Sequence, residues 1–309
     1  MKITPRTRIF NPIEWQEAER TFAFSPDGEL VAVSLNDKPD PVRKNVFVYD
    51  LDGKEKYSFR NYANAEKGIA FGRDKYHLLI SGNEGQIVAG RKPRVGIKSW
   101  ELGASDFSIF FAGDGIHLHC ASEGGRSVLA ESKDNGLFCI QDGKVTASFK
   151  KVSTVSEASF SPDDEIIVIK SFDKNKTDII RSQEPERKLS FTGTLLGFLS
   201  GGKQFMSAQD GQFCLYDAHT FEKIQDQNVP EAGRVFCGAI SPDGKMIATA
   251  DDNGKISIWD AESYTLLSGY LLSNQQNVSR MKFAADQRSL LVILMSGYVR
   301  QEVIILNLE

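Results

Sequence analysis

Five groups of residues have types and spacings that could support chemistry. His117 and His119 stand two apart, which puts both imidazoles on one face of a strand, and a third donor would complete a metal site. No such donor follows nearby in the chain, so the pair reads as polar strand residues. Gly197-Phe198-Leu199-Ser200-Gly201-Gly202-Lys203 has the spacing of a phosphate-binding loop. Gln204, however, stands where Ser or Thr would hold magnesium, and the flanks are strand-like, so no helix N-terminus faces an anion. Asp163-Asp164 and Asp251-Asp252 are adjacent carboxylates; neighbours in a strand or turn point apart, and turn capping accounts for both pairs. Cys120, Cys139, Cys214 and Cys237 lie in or beside apolar runs without CxxC spacing, which reads as buried free thiols in a reducing compartment. Gly90-Arg91-Lys92-Pro93-Arg94 is dense in positive charge and reads as a solvated face or as a patch for phosphate or acid. HExxH and GxSxG are absent. The expectation is therefore no catalytic residue, no cofactor and no metal, in a protein that is not an enzyme.

What must position these residues is a sheet architecture. The stretch from Cys237 to Leu271 runs apolar strand, Ser241-Pro242-Asp243-Gly244 turn, apolar strand, Asp252-Asn253-Gly254 turn, a strand ending Ile258-Trp259-Asp260, and a last strand from Tyr264. Pro242 presets φ for the second position of a type I turn and Gly244 suits its end, so the chain must reverse there. Asn253-Gly254 tolerates positive φ and makes the next hairpin. One such sheet has apolar faces that need neighbours.

The pattern recurs. Aligning on the apolar residue before the turn gives Phe24, Phe71, Phe111, Phe160, Phe198, Ile240 and Phe283, with a mean spacing of about 43 residues. The second runs, Leu30–Val33, Leu78–Ile80, Ile166–Ile169 and Leu290–Met295, are continuously apolar, as strands buried on both faces should be.

On these residues the sequence resembles the WD40 repeat family. Trp259-Asp260 is the family's dipeptide, Tyr49-Asp50 and Tyr216-Asp217 are aromatic-acid equivalents, and Trp100-Glu101 is a looser one. The family's Gly-His dipeptide is missing throughout, so its His-Asp network does not carry over. The resemblance implies an all-β fold, a divergent WD40-like seven-bladed β-propeller of four-stranded antiparallel blades, as a single domain over 1–309. Six repeats carry a fourth run, whereas the seventh stops at Ile304–Glu309. Arg6–Phe10, within residues 1–12, is the expected closing strand of the last blade, because an open ring would leave an unprotected edge. Trp15 is expected in the crossover that follows, packed on Phe22.

Alternating strand direction sends the SPDG-type turns to one face and the middle turns and crossovers to the other. The middle segments Asn36–Asn45, Glu123–Asn135 and Ser296–Gln301 are read as long and dissimilar, so recognition is expected on their face. The residues singled out there for partner binding are Arg43, Lys44, Tyr62, Arg126, Phe172, Lys174, Tyr298 and Arg300, because arginines and aromatics dominate interface energetics. The implied function is a non-enzymatic protein–protein interaction scaffold with a protein or peptide partner. The alternatives are a lactonase-type propeller hydrolase with a metal at the channel mouth, and an RNA- or ribosome-associated propeller using Arg91, Lys92 and Arg94.

The chain has 309 residues, 41% hydrophobic and 25% charged, which suits a globular domain whose size permits a sizeable core. A formal net charge of −4 provides no whole-molecule attraction to nucleic acid or anionic membrane. Met1–Pro12 lacks the apolar core of a secretory signal, so a cytoplasmic location with no membrane partner is expected, as a monomeric propeller within a complex.

Overall fold

The computed structural model describes residues 1–9, 19–36, 44–59, 63–64, 68–84, 96–113, 115–133, 135–149, 155–171, 176–209, 211–272, 276–296 and 299–309. They form seven antiparallel sheets arranged as the blades of a propeller. Numbered by their inner strands, blade 1 holds Glu19–Phe24, Leu30–Asn36, Val46–Asp50 and Glu55–Phe59. Blade 2 holds Ile69–Phe71, His77–Glu84, Gly96–Glu101 and Phe107–Ala112, with Ala63–Asn64 pairing the far end of its second strand. Blade 3 is His117–Ala121, Ser127–Ser132, Gly136–Gln141 and Lys144–Phe149; blade 4 is Val155–Phe160, Ile166–Ser171, Lys176–Arg181 and Lys188–Thr192. Blade 5 is Thr194–Leu199, Gln204–Gln209, Gln212–Asp217 and Lys223–Asn228; blade 6 is Val235–Ile240, Met246–Asp251, Lys255–Asp260 and Leu266–Leu271. Blade 7 takes Asn277–Phe283, Ser289–Ser296 and Val299–Leu308 from the C-terminal end and Ile3–Ile9 from the N-terminal end.

The continuous apolar runs follow from packing on both faces. Leu290, Val292 and Leu294 face blade 6 while Leu291 and Ile293, between them, face blade 1, and all five are fully buried. A strand with water on one face would alternate instead. Among the described residues the buried apolar side chains form seven clusters, one at each junction between successive blades. The aromatic of the aromatic-acid ending packs in four of these junctions: Tyr49 lies against the cluster between blades 7 and 1, Trp100 stacks on Phe59 of blade 1 at 4.1 Å, Tyr216 on Phe191 of blade 4 at 6.3 Å, and Trp259 meets Phe213 of blade 5 edge-on at 5.8 Å.

The SPDG-type turns are built alike. Ser25, Ser161 and Ser241 each donate to the turn aspartate, Asp27, Asp163 and Asp243, and each accepts from the amide of the first residue of the next strand. Gly28 sits at φ +67°, and a Cβ there would lie 2.8 Å from Ala284 Cα, so glycine is required both by conformation and by contact with blade 7.

In every blade the anchor residue pairs with the residue seven further on: Phe24 with Val31, Phe71 with Leu78, Phe160 with Ile167, Phe198 with Phe205, Ile240 with Ile247 and Phe283 with Leu290. Blade 3 corrects the sequence pattern. Its anchor is Ala121, paired with Val128, not Phe111. Phe107–Ala112 is the outer strand of blade 2, pairing Gly96–Glu101, and Glu123–Asn135 contains an SPDG-type turn and all of Ser127–Ser132 instead of one long loop.

Ring closure follows the expected strand exchange, beginning earlier than Arg6. Ile3–Ile9 runs antiparallel to Val299–Leu308, from Ile3 opposite Leu308 to Ile9 opposite Val303. Arg6 donates to Asp52 of blade 1 at 3.0 and 2.7 Å, tying the added strand to the next blade as well.

Candidate functional site

The two faces of the ring differ in how their connections vary. On one face the first turn of each blade has five residues in six blades (25–29, 72–76, 122–126, 161–165, 241–245, 284–288) and four in blade 5 (200–203). On the other face the middle connections run from two residues (210–211, 297–298) to nine (37–45) and eleven (85–95). Crossovers on that face span between one residue, Gly193, and the nine residues 10–18 leading into blade 1. The long connections therefore gather around blades 1 and 2, and Ser296 and Val299 leave too short a gap for a long loop in blade 7.

The residues selected from sequence distribute unevenly over this frame. Lys44 lies beside Val46–Asp50 at the end of connection 37–45, exposed, with Nζ donating to Ser58 at 2.8 Å. Arg126 is on the opposite face, in turn 122–126, where it pairs with Asp142 at 3.3 Å. Arg300 is placed by its backbone opposite Met295, at the start of the last strand. Arg43, Tyr62, Phe172, Lys174 and Tyr298 lie outside the described residues, as do Trp15, Arg91, Lys92 and Arg94.

The channel contains a feature that sequence reasoning missed. A cavity of about 1070 Å³ reaches from the SPDG-type turns, at Pro26, Pro162 and Pro242, up the inner strands. Two ion pairs cross it: Arg280 of blade 7 to Glu157 of blade 4 at 3.2 Å, and Lys282 of blade 7 to Glu123 of blade 3 at 3.2 Å. In a ring of seven, blades three places apart are as far from each other as two can be, so both pairs span the channel. Lys170, on the second strand of blade 4, reaches across to Thr194 Oγ1 of blade 5 at 3.1 Å and to the Phe236 carbonyl of blade 6 at 2.6 Å. A Cβ on Gly238 would lie 2.3 Å from Leu196 Cδ2, so glycine lets the inner strands of blades 5 and 6 close together. Val168, Lys170 and Thr177 of blade 4 also line the cavity.

The remaining chemical candidates resolve as local structure. His117 and His119 share a face, with ring centroids 4.5 Å apart, and His119 Nε2 lies 3.1 Å from Glu131. Burial lowers the His119 pKa and the carboxylate opposes it. Among the described residues no three His, Cys, Asp or Glu side chains come together as metal donors. All four cysteines are buried and free, and burial pushes the Cys120 and Cys237 thiols up to about 12. Asp251 caps its turn through the amides of Asn253 and Lys255, both at 2.9 Å. Asp163 caps its turn through Ser161 and the Glu165 amide, whereas Asp164 points to the neighbouring blade and accepts from Ser122 and Ser127 of blade 3, at 2.9 and 3.1 Å. Gly197–Lys203 is strand and short 3-10 turn, not strand and helix.

Two of the acids of the aromatic-acid endings, Asp217 and Asp260, titrate low. Backbone amides of the following turn, Thr220 for Asp217 and Ser263 for Asp260, hold these carboxyls below their ordinary value. A carboxyl whose folded pKa is depressed stabilises fully above its unfolded value and loses that contribution as pH falls through the folded one. Replacing both Asp217 and Asp260 with Asn is therefore expected to flatten the fall in urea midpoint between about pH 5 and about pH 2. An acid limb as steep as wild type would assign it to other carboxyls.

Residues 224–260 match the family of the WD domain, G-beta repeat. The match begins in the outer strand of blade 5 and ends at Trp259-Asp260 in the third strand of blade 6. No curated protein matches the chain.

Proposed function

Because the chain is a WD40-like seven-bladed β-propeller, we propose that it acts as a non-enzymatic scaffold holding a protein or peptide partner on its loop-rich face. WD40 propellers commonly serve as protein-interaction scaffolds. The observation that carries the reading is the contrast in reach between faces: first turns of four or five residues and outer turns of two to six on one, connections of up to eleven residues on the other. A rigid ring whose long connections lie on one side is built to recognise something there.

The partner surface centres on blades 1 and 2, which carry the two longest middle connections of that face, 37–45 and 85–95. Connection 85–95 carries Arg91, Lys92 and Arg94 and no carboxylate, in a chain of net charge −4, so the segment it meets is acidic. By sequence Arg43 and Lys44 fall in connection 37–45 and Tyr62 in the crossover from blade 1 to blade 2, while Phe172 and Lys174 fall in connection 172–175 and Tyr298 and Arg300 at or beside 297–298. These remain the candidates for that surface, and Arg126, on the other face, does not belong to it.

The test is affinity capture with wild type, with Arg43→Ala/Tyr62→Ala, with Arg91→Glu/Lys92→Glu/Arg94→Glu, and with Lys245→Ala on the opposite face as control. A specific protein associate should bind the two loop variants at least about tenfold more weakly, about 1.4 kcal/mol or more, and the control unchanged. Equal capture by all four proteins would overturn the assignment of the face. Recovery of RNA whose binding falls steeply with salt would replace the scaffold reading with the RNA-associated one.

A further inference from the structure

The channel cavity is remote in character from the loop face, and its lining changes in levels along the strands. At the end nearer the SPDG-type turns it is walled by the anchors Phe24, Phe160, Phe198, Ile240 and Phe283. Three residues along the inner strand of blade 4 from Phe160 stands Glu157, about 10 Å of extended chain away, at the level where Lys170 and Arg280 meet it. The anchors thus wall the turn end, where the Lys282–Glu123 pair also lies, and a second charged level follows at Glu157, Lys170 and Arg280.

Three cations and four carboxylates line the cavity as a whole, but at the Glu157 level two cations, Lys170 and Arg280, stand beside one carboxylate. Arg280 is paired with Glu157, and Lys282 with Glu123. Lys170 stands directly opposite Glu157 in the strand pairing, yet its ammonium is bonded to a hydroxyl and a carbonyl while the carboxylate is bonded to Arg280. An ammonium has three donors, and two are committed. With two cations beside one carboxylate there is a place for a second anionic group, to which Lys170 has a donor left to give; the Thr194 hydroxyl donates to the Val235 carbonyl.

We propose that this cavity is a binding site for a small molecule with a carboxylate head and an apolar body, the head on Lys170 and Arg280 and the body along the anchors at the turn end. The volume of about 1070 Å³ is ample for such a ligand, and a mostly apolar wall with a few placed polar groups is the usual form of a small-molecule site. The carboxylate adds a charge-assisted bond to Lys170 and competes with Glu157 for the Arg280 guanidinium.

Calorimetric titration of the whole protein with decanoate, and with decan-1-ol as the neutral match, tests this. Decanoate should bind with one-to-one stoichiometry and about tenfold or more tighter than the alcohol, the difference being the charged head. In Lys170→Met that preference should disappear. Because Lys170 also joins three blades, its loss could unsettle the fold, so Glu157→Gln provides the opposite sign: freeing Arg280 should tighten decanoate about threefold or more and leave the alcohol unchanged. A damaged protein would not gain affinity for the acid alone. Acid and alcohol binding equally, no binding of decanoate at about 1 mM, or Glu157→Gln failing to tighten the acid would each overturn the proposal.

Discussion

Replacing Trp259 with alanine should cost about 3–5 kcal/mol, the largest effect expected of any single substitution in this chain. The indole is 2% exposed and lies in the cluster that joins blades 5 and 6, with Leu196, Met206, Phe213 and Ile247 around it. Its removal leaves a cavity between two sheets that cannot close on each other, because each is also held by its outer neighbour. It also removes the donor from Thr249, whose hydroxyl accepts from the indole Nε1 at 2.9 Å inside the junction. Thr249→Val separates the two contributions: it deletes the hydrogen bond, keeps the volume, and should cost about 1 kcal/mol. Urea denaturation of both variants decides it. A Trp259→Ala loss below about 1 kcal/mol would mean that the blades relax into the space.

Removing Met1–Ile9 is the second large effect. Ile3 and Ile9 are 8% and 4% exposed, and burying each is worth ~1.5–3 kcal/mol, so the strand contributes about 3–6 kcal/mol before its backbone pairing and the Arg6–Asp52 contact are considered. The expected fall in Tm is on the order of 10 °C. The truncation also bares the edge of Val299–Leu308, a template for pairing with another chain, so light scattering should rise with protein concentration. A synthetic peptide of residues 1–9 should restore the Tm in proportion to the logarithm of its concentration, and a scrambled one should not. A truncated protein with the wild-type Tm would show that closure adds nothing to stability.

Six of the seven inner-strand anchors, the continuous second strands and the donated closing strand could be read from residue types alone. They are local facts: Ser-Pro-Asp-Gly reverses a chain wherever it stands, and five consecutive buried aliphatics need two apolar neighbours. The seventh anchor was not readable in this way. Phe111-Ala112-Gly113-Asp114-Gly115 imitates the turn, but the chain has not yet completed blade 2, whereas the real turn, Ser122–Arg126, lacks the Pro-Asp and keeps only the serine that accepts from Ser127 and the closing glycine, Gly125 at φ +61°. Gly-rich reversals serve both faces, and only strand pairing assigns each to one.

The same misreading made Glu123–Asn135 look like a long loop and put Arg126 on the wrong face, and it obscured how strongly the long connections favour blades 1 and 2. The channel ion pairs were beyond reach for a different reason. Arg280 and Glu157 are 123 residues apart and Lys282 and Glu123 are 159 apart, each in an ordinary strand of an ordinary repeat. Turn chemistry and burial period act within a few residues and are written into the chain, so the ring, its seven units and its stitched ends could be inferred from the order of amino acids. The polarity of the cavity and the partners of its charges depend on which blades face each other across the axis, a relation that exists only once the ring has closed.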